Sequence, residues 1–306
     1  MNFFYMTVGC PASGKSTWAE QYKDGFIIVS SDTIRADLYG DESIQGNPVE
    51  VFELAKKHIV DALKQGKDVI FDATNMKYKN RMNIMREVNK FSSEYLIKVC
   101  EIFVEPIDVL LERNANRERH VPEHVIRRMT QQFEMPTCAE GFNLINIHNE
   151  HKLSFDKILD RAIDYDQHNH HHSLPLYIHC TEARQWVMKN IHISDKISIR
   201  KYNCMMMAAL CHDLAKPDVQ TFFNLKGIET SEAHYYDHHT LGSYYTLMYD
   251  EPWDDADRIY IAQLVCYHMQ PYLNKTESAD RRWRERIGND LWEDVLLIHE
   301  ADVAAH

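Results

Sequence analysis

The 306-residue sequence predicts two domains: an α/β domain with a parallel sheet wrapped by helices over residues 1–150, then an all-α domain over residues 151–306. Three observations carry this. Apolar, strand-like runs alternate with helical patterns through the first half. A glycine-rich loop closes the first of those runs. Beyond residue 150 the strand signals fade, and 14 of the 18 histidines lie there, an asymmetry that points to a metal site.

The first run, Phe3-Phe4-Tyr5-Met6-Thr7-Val8, reads as a buried strand, and Thr17-Trp18-Ala19-Glu20-Gln21-Tyr22 has the composition of a helix start. Between them, Gly9-Cys10-Pro11-Ala12-Ser13-Gly14-Lys15-Ser16-Thr17 reads G-x-x-x-x-G-K-S, the phosphate-binding loop. This arrangement surrounds one anion with backbone N–H groups and a positive helix terminus. Gly9, Ser13, Gly14, Lys15, Ser16 and Thr17 are therefore expected to hold a nucleoside triphosphate. Lys15 would reach its β- and γ-phosphates, with the Ser16 hydroxyl on Mg²⁺.

A second strand, Phe26 to Ser30, ends in Ser31-Asp32-Thr33-Ile34-Arg35. Charged groups just past a strand's carboxyl end lie where open α/β sheets bind ligands. Asp32 is placed either to take a proton from an attacking hydroxyl or to cap the helix starting at Thr33. Arg35 can grip a phosphate. Residues 51–65 follow helical spacing, Asp68 to Asp72 forms a third strand followed by Ala73-Thr74-Asn75, and Tyr95 to Val104 a fourth. Arg113 and Arg117 then stand i, i+4, expected on one helix face, either as a solvated basic surface or closing over the triphosphate.

Four elements in this order, G-C-P-x-S-G-K-S-T, S-D-x-x-R, D-x-T-N and R-N-x-x-R followed by V-P, make residues 1–150 resemble the 5′-kinase domain of phage and bacterial polynucleotide kinases. The resemblance implies ATP as donor and Asp32 as general base. It places Arg35, with Thr74 and Asn75, on the acceptor, and Arg113 and Arg117 on the donor phosphates. Two positions depart from the family pattern. Ala12 replaces a common glycine, and Ala73 rather than an aspartate directly precedes Thr74-Asn75, which leaves the role of Asp72 open.

Asn143 to Ile147 reads as the last strand of the sheet, and residues 154–163 as the first helix of the second domain. Within that domain, His179, His212-Asp213, His268 and Asp302 each sit on or follow an apolar helical run. Buried carboxylates need partners, and one divalent cation bound by His179, His212, Asp213 and Asp302 satisfies all four groups. His238 and His268 would hold a second metal or a substrate phosphate, with His239 an alternative to His238 and His172 a loop residue near the site. Such ligands suit Zn, Mn, Fe, Co or Ni. His170, His171 and His299 read as structural or exposed.

The order H…HD…H…H…D, with His212-Asp213-Leu214-Ala215-Lys216, His238-His239-Thr240-Leu241-Gly242 and Ala301-Asp302-Val303-Ala304, resembles the HD phosphohydrolase superfamily of all-helical, metal-dependent phosphatases and phosphodiesterases. The resemblance implies a phosphate-contacting role for Lys216. Together the two resemblances imply an α/β P-loop kinase followed by an all-α HD domain. They imply an end-healing enzyme that phosphorylates 5′-hydroxyls and removes 3′-phosphates, and that opens 2′,3′-cyclic phosphates if its second site accepts them. Single-stranded or nicked RNA or DNA ends would be its partners.

Composition limits these readings. The net charge of −12, spread as 18 Lys and Arg against 22 Asp and Glu in the first half and 16 against 24 in the second, confines any nucleic-acid contact to a local groove. It leaves room for free nucleotides or other small molecules as substrates, and for the phosphate-loop domain as a nucleotide sensor. The longest apolar runs fall short of a membrane span. The N-terminus has no signal-peptide layout, and seven scattered cysteines without a C-x-x-C pair fit a cytoplasmic protein.

Overall fold

The structure is a computed structural model that describes residues 1–92, 94–169 and 174–305. His170, His171 and His172 lie outside the described residues. The chain forms two compact units, one of Met1–Met129 with Pro136–Glu150, the other of Thr130–Met135 with His151–His306. The short excursion of Thr130–Met135 into the second unit had no mark in the sequence pattern.

The first unit runs β1 (Asn2–Gly9), α1 (Lys15–Glu20), β2 (Phe26–Ser30), α2 (Ser31–Tyr39), α3 (Pro48–Lys64), β3 (Asp68–Asp72), α4 (Tyr78–Val88), β4 (Leu96–Phe103), α5 (Ile107–Ala115), α6 (Glu123–Gln131) and β5 (Leu144–His148). The strands order β2-β3-β1-β4-β5, every pair parallel. A parallel sheet with helices on its faces buries its strands on both sides. That is why β1 and β3 are near-continuous apolar runs, with Phe4, Met6, Val8, Ile70 and Phe71 fully buried. Each such side chain contributes roughly 1.5–3 kcal/mol of transfer free energy. The sheet with its flanking helices is a P-loop α/β kinase fold. Its register sets Ser30 opposite Asp72 and Gly9 opposite Phe103, so the carboxyl ends of four strands gather beside the glycine loop.

The second unit is mainly helical: α7 (Phe155–Ile163), α8 (Leu176–Asn190), α9 (Ile199–Cys211), α10 (Lys216–Val219), α11 (His238–Thr246), α12 (Asp255–Tyr267), α13 (Gln270–Leu273), α14 (Glu277–Ile287) and α15 (Asn289–Ala304). The all-α expectation needs one correction, because an antiparallel hairpin of β6 (Thr221–Phe223) and β7 (Glu229–His234) interrupts the helices. Its strands are too short and too polar to show a two-residue period. The signal lies in its turn, where Asn224 Oδ1 accepts the Lys226 and Ile228 amides and Gly227 takes φ 73°. All seven cysteines are free, and among the described residues no helix is long and apolar enough to cross a membrane.

Candidate functional sites

The loop between β1 and α1 folds as a phosphate cradle. Ala12 and Gly14 adopt positive φ (65° and 97°), turning the chain into α1, with Gly14 as its N-cap. A Cβ at Gly9 would fall 2.5 Å from the Phe103 carbonyl oxygen and 2.7 Å from Ser13 Oγ, so only glycine fits there. Lys15 Nζ donates to the Cys10 carbonyl at 2.6 Å and lies 3.4 Å from Ser13 Oγ. Burial pushes this ammonium below its usual range, with Asp72 pulling the other way. The Ser16 hydroxyl donates to Asp72 Oδ2 at 2.7 Å, and Thr7 Oγ1 lies 3.2 Å from Asp72 Oδ1. Asp72 thus stands against the hydroxyl assigned to Mg²⁺. A hard cation takes oxygen donors of this kind, so Ser16 and Asp72 fit Mg²⁺.

At the end of β2, Ser30 Oγ accepts the Asp32 and Thr33 amides and caps α2. The Asp32 carboxylate is therefore not the cap. It is half-exposed, receiving Arg35 Nη1 at 2.6 Å on one oxygen and Arg119 Nη1 at 3.3 Å on the other. Arg119 also lies 3.4 Å from Glu42. Asn75, expected on the acceptor, is instead buried. Its amide donates to the Thr7 carbonyl at 2.9 Å, and the Thr74 carbonyl accepts the Gly9 amide. Both residues tie the turn after β3 to the end of β1. Arg81 reinforces this turn from a fully buried position, with a fork–fork pair to Glu140 at 2.7 and 2.8 Å and a third bond to the Asn75 carbonyl.

The arginine segment departs from the expected single helix face. Arg113 lies in α5, but that helix ends at Ala115 and Arg117 lies beyond it. The Asn114 side chain ends the regular structure by donating to the Val121 carbonyl and accepting the Val121 amide, both at 2.9 Å, which closes residues 114–121 into a loop. Arg113 reaches Glu105 at 3.4 Å and Glu150 at 2.5 Å, Arg117 is exposed with its field acting on Lys15, and Arg119 bonds Asp32. Arg119 escaped the sequence pattern because it falls two residues off the i, i+4 spacing.

In the second unit, the last turns of α9, α12 and α15 converge with α8 and the start of α11 on one buried cluster. His179, His212, Asp213 and Asp302 each offer a ligand atom within 4.8 Å of the others, and Asp213, His238 and His268 form a second such set sharing the aspartate. His179 Nε2 lies 3.1 Å from His212 Nε2, 3.1 Å from Asp302 Oδ1 and 3.3 Å from Asp213 Oδ2. His238 Nε2 lies 3.0 Å and His268 Nε2 3.7 Å from Asp213 Oδ1. His238, not His239, is thus the residue of that pair that faces Asp213.

The ring orientations are set from behind. Nδ1 of His179, His212, His238 and His268 faces the carbonyls of Ala305, Ala209, Tyr235 and Val265 at 3.2, 2.8, 2.7 and 2.8 Å. A carbonyl only accepts, so each Nδ1 carries a proton and each Nε2 faces the cluster, where it offers a lone pair when its ring is neutral. His238 Nε2 and His268 Nε2 are buried and make no well-aligned hydrogen bond, with Asp213 Oδ1 their neighbour. Ring nitrogens and carboxylates this close need a positive charge among them, which a metal ion or a ring proton supplies. Burial lowers the His212 pKa, but Asp213 and Asp302 outweigh it and raise it to about 10. Burial likewise opposes the charge on Asp213, yet Lys216 and His212 hold it well below the carboxylate range. The donor set, imidazole with carboxylate in a dry pocket, fits one or two divalent transition-metal ions. Lys216 is also buried, its Nζ 2.6 Å from Asp213 and 2.7 Å from Gln167 Oε1. Gln167 and Tyr235, whose hydroxyl bonds the Gln167 carbonyl, carried no signal in the sequence.

The first unit thus has the fold and loop of the P-loop kinases. Residues 4–136 match the family described as an AAA domain. The chain is 24% identical over 170 residues to the L-seryl-tRNA(Sec) kinase of Methanococcus maripaludis, covering 52% of this chain and 64% of that one. Among solved structures it is similar to a chain of the Pnkp1/Rnl/Hen1 RNA repair complex (22% identity, 43% of each chain, TM-score 0.37). It is also similar to the tunicamycin resistance protein of Deinococcus radiodurans (14% identity, 48% of this chain and 86% of that one, TM-score 0.34).

Proposed function

We propose that this protein is a nucleic-acid end-healing enzyme. Its first unit would transfer the γ-phosphate of ATP to a 5′-hydroxyl, and its second would hydrolyse a 3′-phosphate. The observation that supports the kinase reading most is the division of labour at β2, where Ser30 caps the helix and leaves Asp32 beside Arg35 at the strand end. In this reading the acceptor's proton passes to Asp32 as its oxygen bonds the γ-phosphorus and the bond to ADP breaks. Lys15 and Arg117 offset the charge spreading over the transferred group, and Ser16 with Asp72 would hold Mg²⁺, which neutralises the β- and γ-oxygens when bound.

For the second unit, His179, His212, Asp213 and Asp302 would hold one divalent ion, and Asp213, His238 and His268 a second. A metal bound there supplies an acidified water and a Lewis acid. The backbone carbonyls behind each ring fix its tautomer, and Lys216 holds the Asp213 carboxylate in place. An HD-type phosphohydrolase is the reading that this donor set, in this order along the chain, supports. The kinase half is tested with [γ-³²P]ATP and a 5′-hydroxyl oligonucleotide: label transfer is expected in the wild type and lost in Asp32→Ala, and full transfer by that variant rejects the base assignment. The likeness to an L-seryl-tRNA(Sec) kinase favours a second acceptor, a seryl hydroxyl carried on tRNA, which the same assay would include.

A further inference from the structure

Lys216 has two anchors of different charge. Its Nζ lies 2.6 Å from Asp213 Oδ2 and 2.7 Å from Gln167 Oε1. Gln167, 49 positions earlier and fully buried, stands outside the histidine–aspartate motifs of the second unit. Its amide has one orientation open to it. Nε2 donates to the Leu174 carbonyl at 3.2 Å, so Oε1 is left to face an ammonium that can only donate. The Gln167 backbone is held too, because Tyr235 Oη donates to its carbonyl and itself accepts Gln220 Nε2 at 3.2 Å. Lys216 Nζ stands 5.4 Å from the centroid of the Tyr235 ring, and the Tyr235 carbonyl receives His238 Nδ1. One polar chain thus runs from Leu174 through Gln167 to Lys216, with Tyr235 tying it to a histidine of the second ligand set.

The two anchors are not equivalent. Asp213 is the carboxylate common to both ligand sets, so an ion held there, as proposed above, competes with Lys216 for its charge. Gln167 is neutral, so it fixes the ammonium without cancelling its charge. We propose that Gln167, braced by Tyr235, is the positioning residue of Lys216: a neutral acceptor that keeps the ammonium beside the ligand sets with its charge available to a phosphate oxygen. The inference rests on the phosphohydrolase reading above and deepens it, because it names a determinant of phosphate recognition outside the H…HD…H…H…D order. A carboxylate in place of this amide would hold Lys216 at least as firmly, but it would cancel the charge that attracts the phosphate.

The test measures binding of inorganic phosphate, the product released in that reading, by calorimetry on the full-length protein saturated with Mn²⁺. Gln167→Met keeps the volume and removes the acceptor. It should raise the phosphate Kd by at least about tenfold, the weight of one hydrogen bond to a charged group. Gln167→Glu should weaken phosphate binding as much or more, and Tyr235→Phe by less, with the Mn²⁺ content of all three unchanged by elemental analysis. A residue that acts through the ammonium has no effect without it. In Gln167→Met/Lys216→Met the first substitution should therefore add nothing to the loss caused by Lys216→Met alone. Additive losses in the double variant, wild-type phosphate binding by Gln167→Met or Gln167→Glu, or a loss that follows the Mn²⁺ content overturns the proposal and leaves the phosphohydrolase reading standing. A wild type that takes up Mn²⁺ but neither binds phosphate nor releases it from a 3′-phosphorylated oligonucleotide overturns both.

Discussion

Asp32 can face an acceptor because the Ser30 hydroxyl takes the capping hydrogen bonds of α2. Asp32→Asn keeps the shape and removes the proposed base, so kcat for 5′-phosphorylation should fall by about 10²–10⁴-fold with the KM for ATP unmoved, measured by steady-state label transfer. A Ser30→Ala variant should lose about 1 kcal/mol of stability in urea titration, the usual worth of a cap. In the second unit, Asp213 bonds Lys216 and stands at the junction of both histidine sets. Asp213→Asn should therefore lower the metal content more than His268→Ala, which removes a ligand from one set only, as read by elemental analysis after gel filtration. Equal losses in the two variants would contradict a shared carboxylate.

The elements were legible where periodicity is strong. Asp68–Asp72 is a strand because its apolar run is buried on both faces, and the runs before His212 and His268 end as helices whose C-caps are those histidines. Illegible parts depend on single side-chain bonds that no spacing announces. Asn114 stops α5 short of Arg117, Asn224 folds the β6–β7 turn, and Arg81 reaches Glu140 across 59 positions. The sequence named the residue types at the site but not their hydrogen bonds: the Thr74 carbonyl and the Asn75 side chain tie the turn to β1, and Asp72 meets Ser16. Two predictions belong to this scale. Arg81→Met strands a buried Glu140 and should cost about 3–5 kcal/mol in urea unfolding, with Arg81→Met/Glu140→Leu recovering most of it. Asn114→Ala should loosen the loop carrying Arg117 and raise the KM for ATP, while the proposed hydrolysis of 3′-phosphates by the second unit should be unaffected.

At the scale of the whole molecule, the phosphate loop and the histidine–aspartate cluster are built in different compact units. The net charge of −12 does not draw a polyanion to the surface at large, so binding to nucleic acid should show only a shallow salt dependence. If the buried cluster holds a divalent ion as proposed, that ion binds the folded chain alone. At a thousandfold excess over its Kd it should stabilise that unit by about 4 kcal/mol, seen as a raised Tm that chelation reverses and that Asp213→Asn lacks. The central claim, two chemistries on opposite ends of one nucleic-acid substrate, is tested most directly on a single-stranded oligonucleotide carrying a 5′-hydroxyl and a 3′-phosphate. It is incubated with ATP, Mg²⁺ and Mn²⁺, and both ends are resolved by gel. The account predicts a gained 5′-phosphate that Lys15→Ala alone abolishes and a lost 3′-phosphate that Asp213→Ala alone abolishes. Both ends left unchanged by the wild-type protein would contradict it.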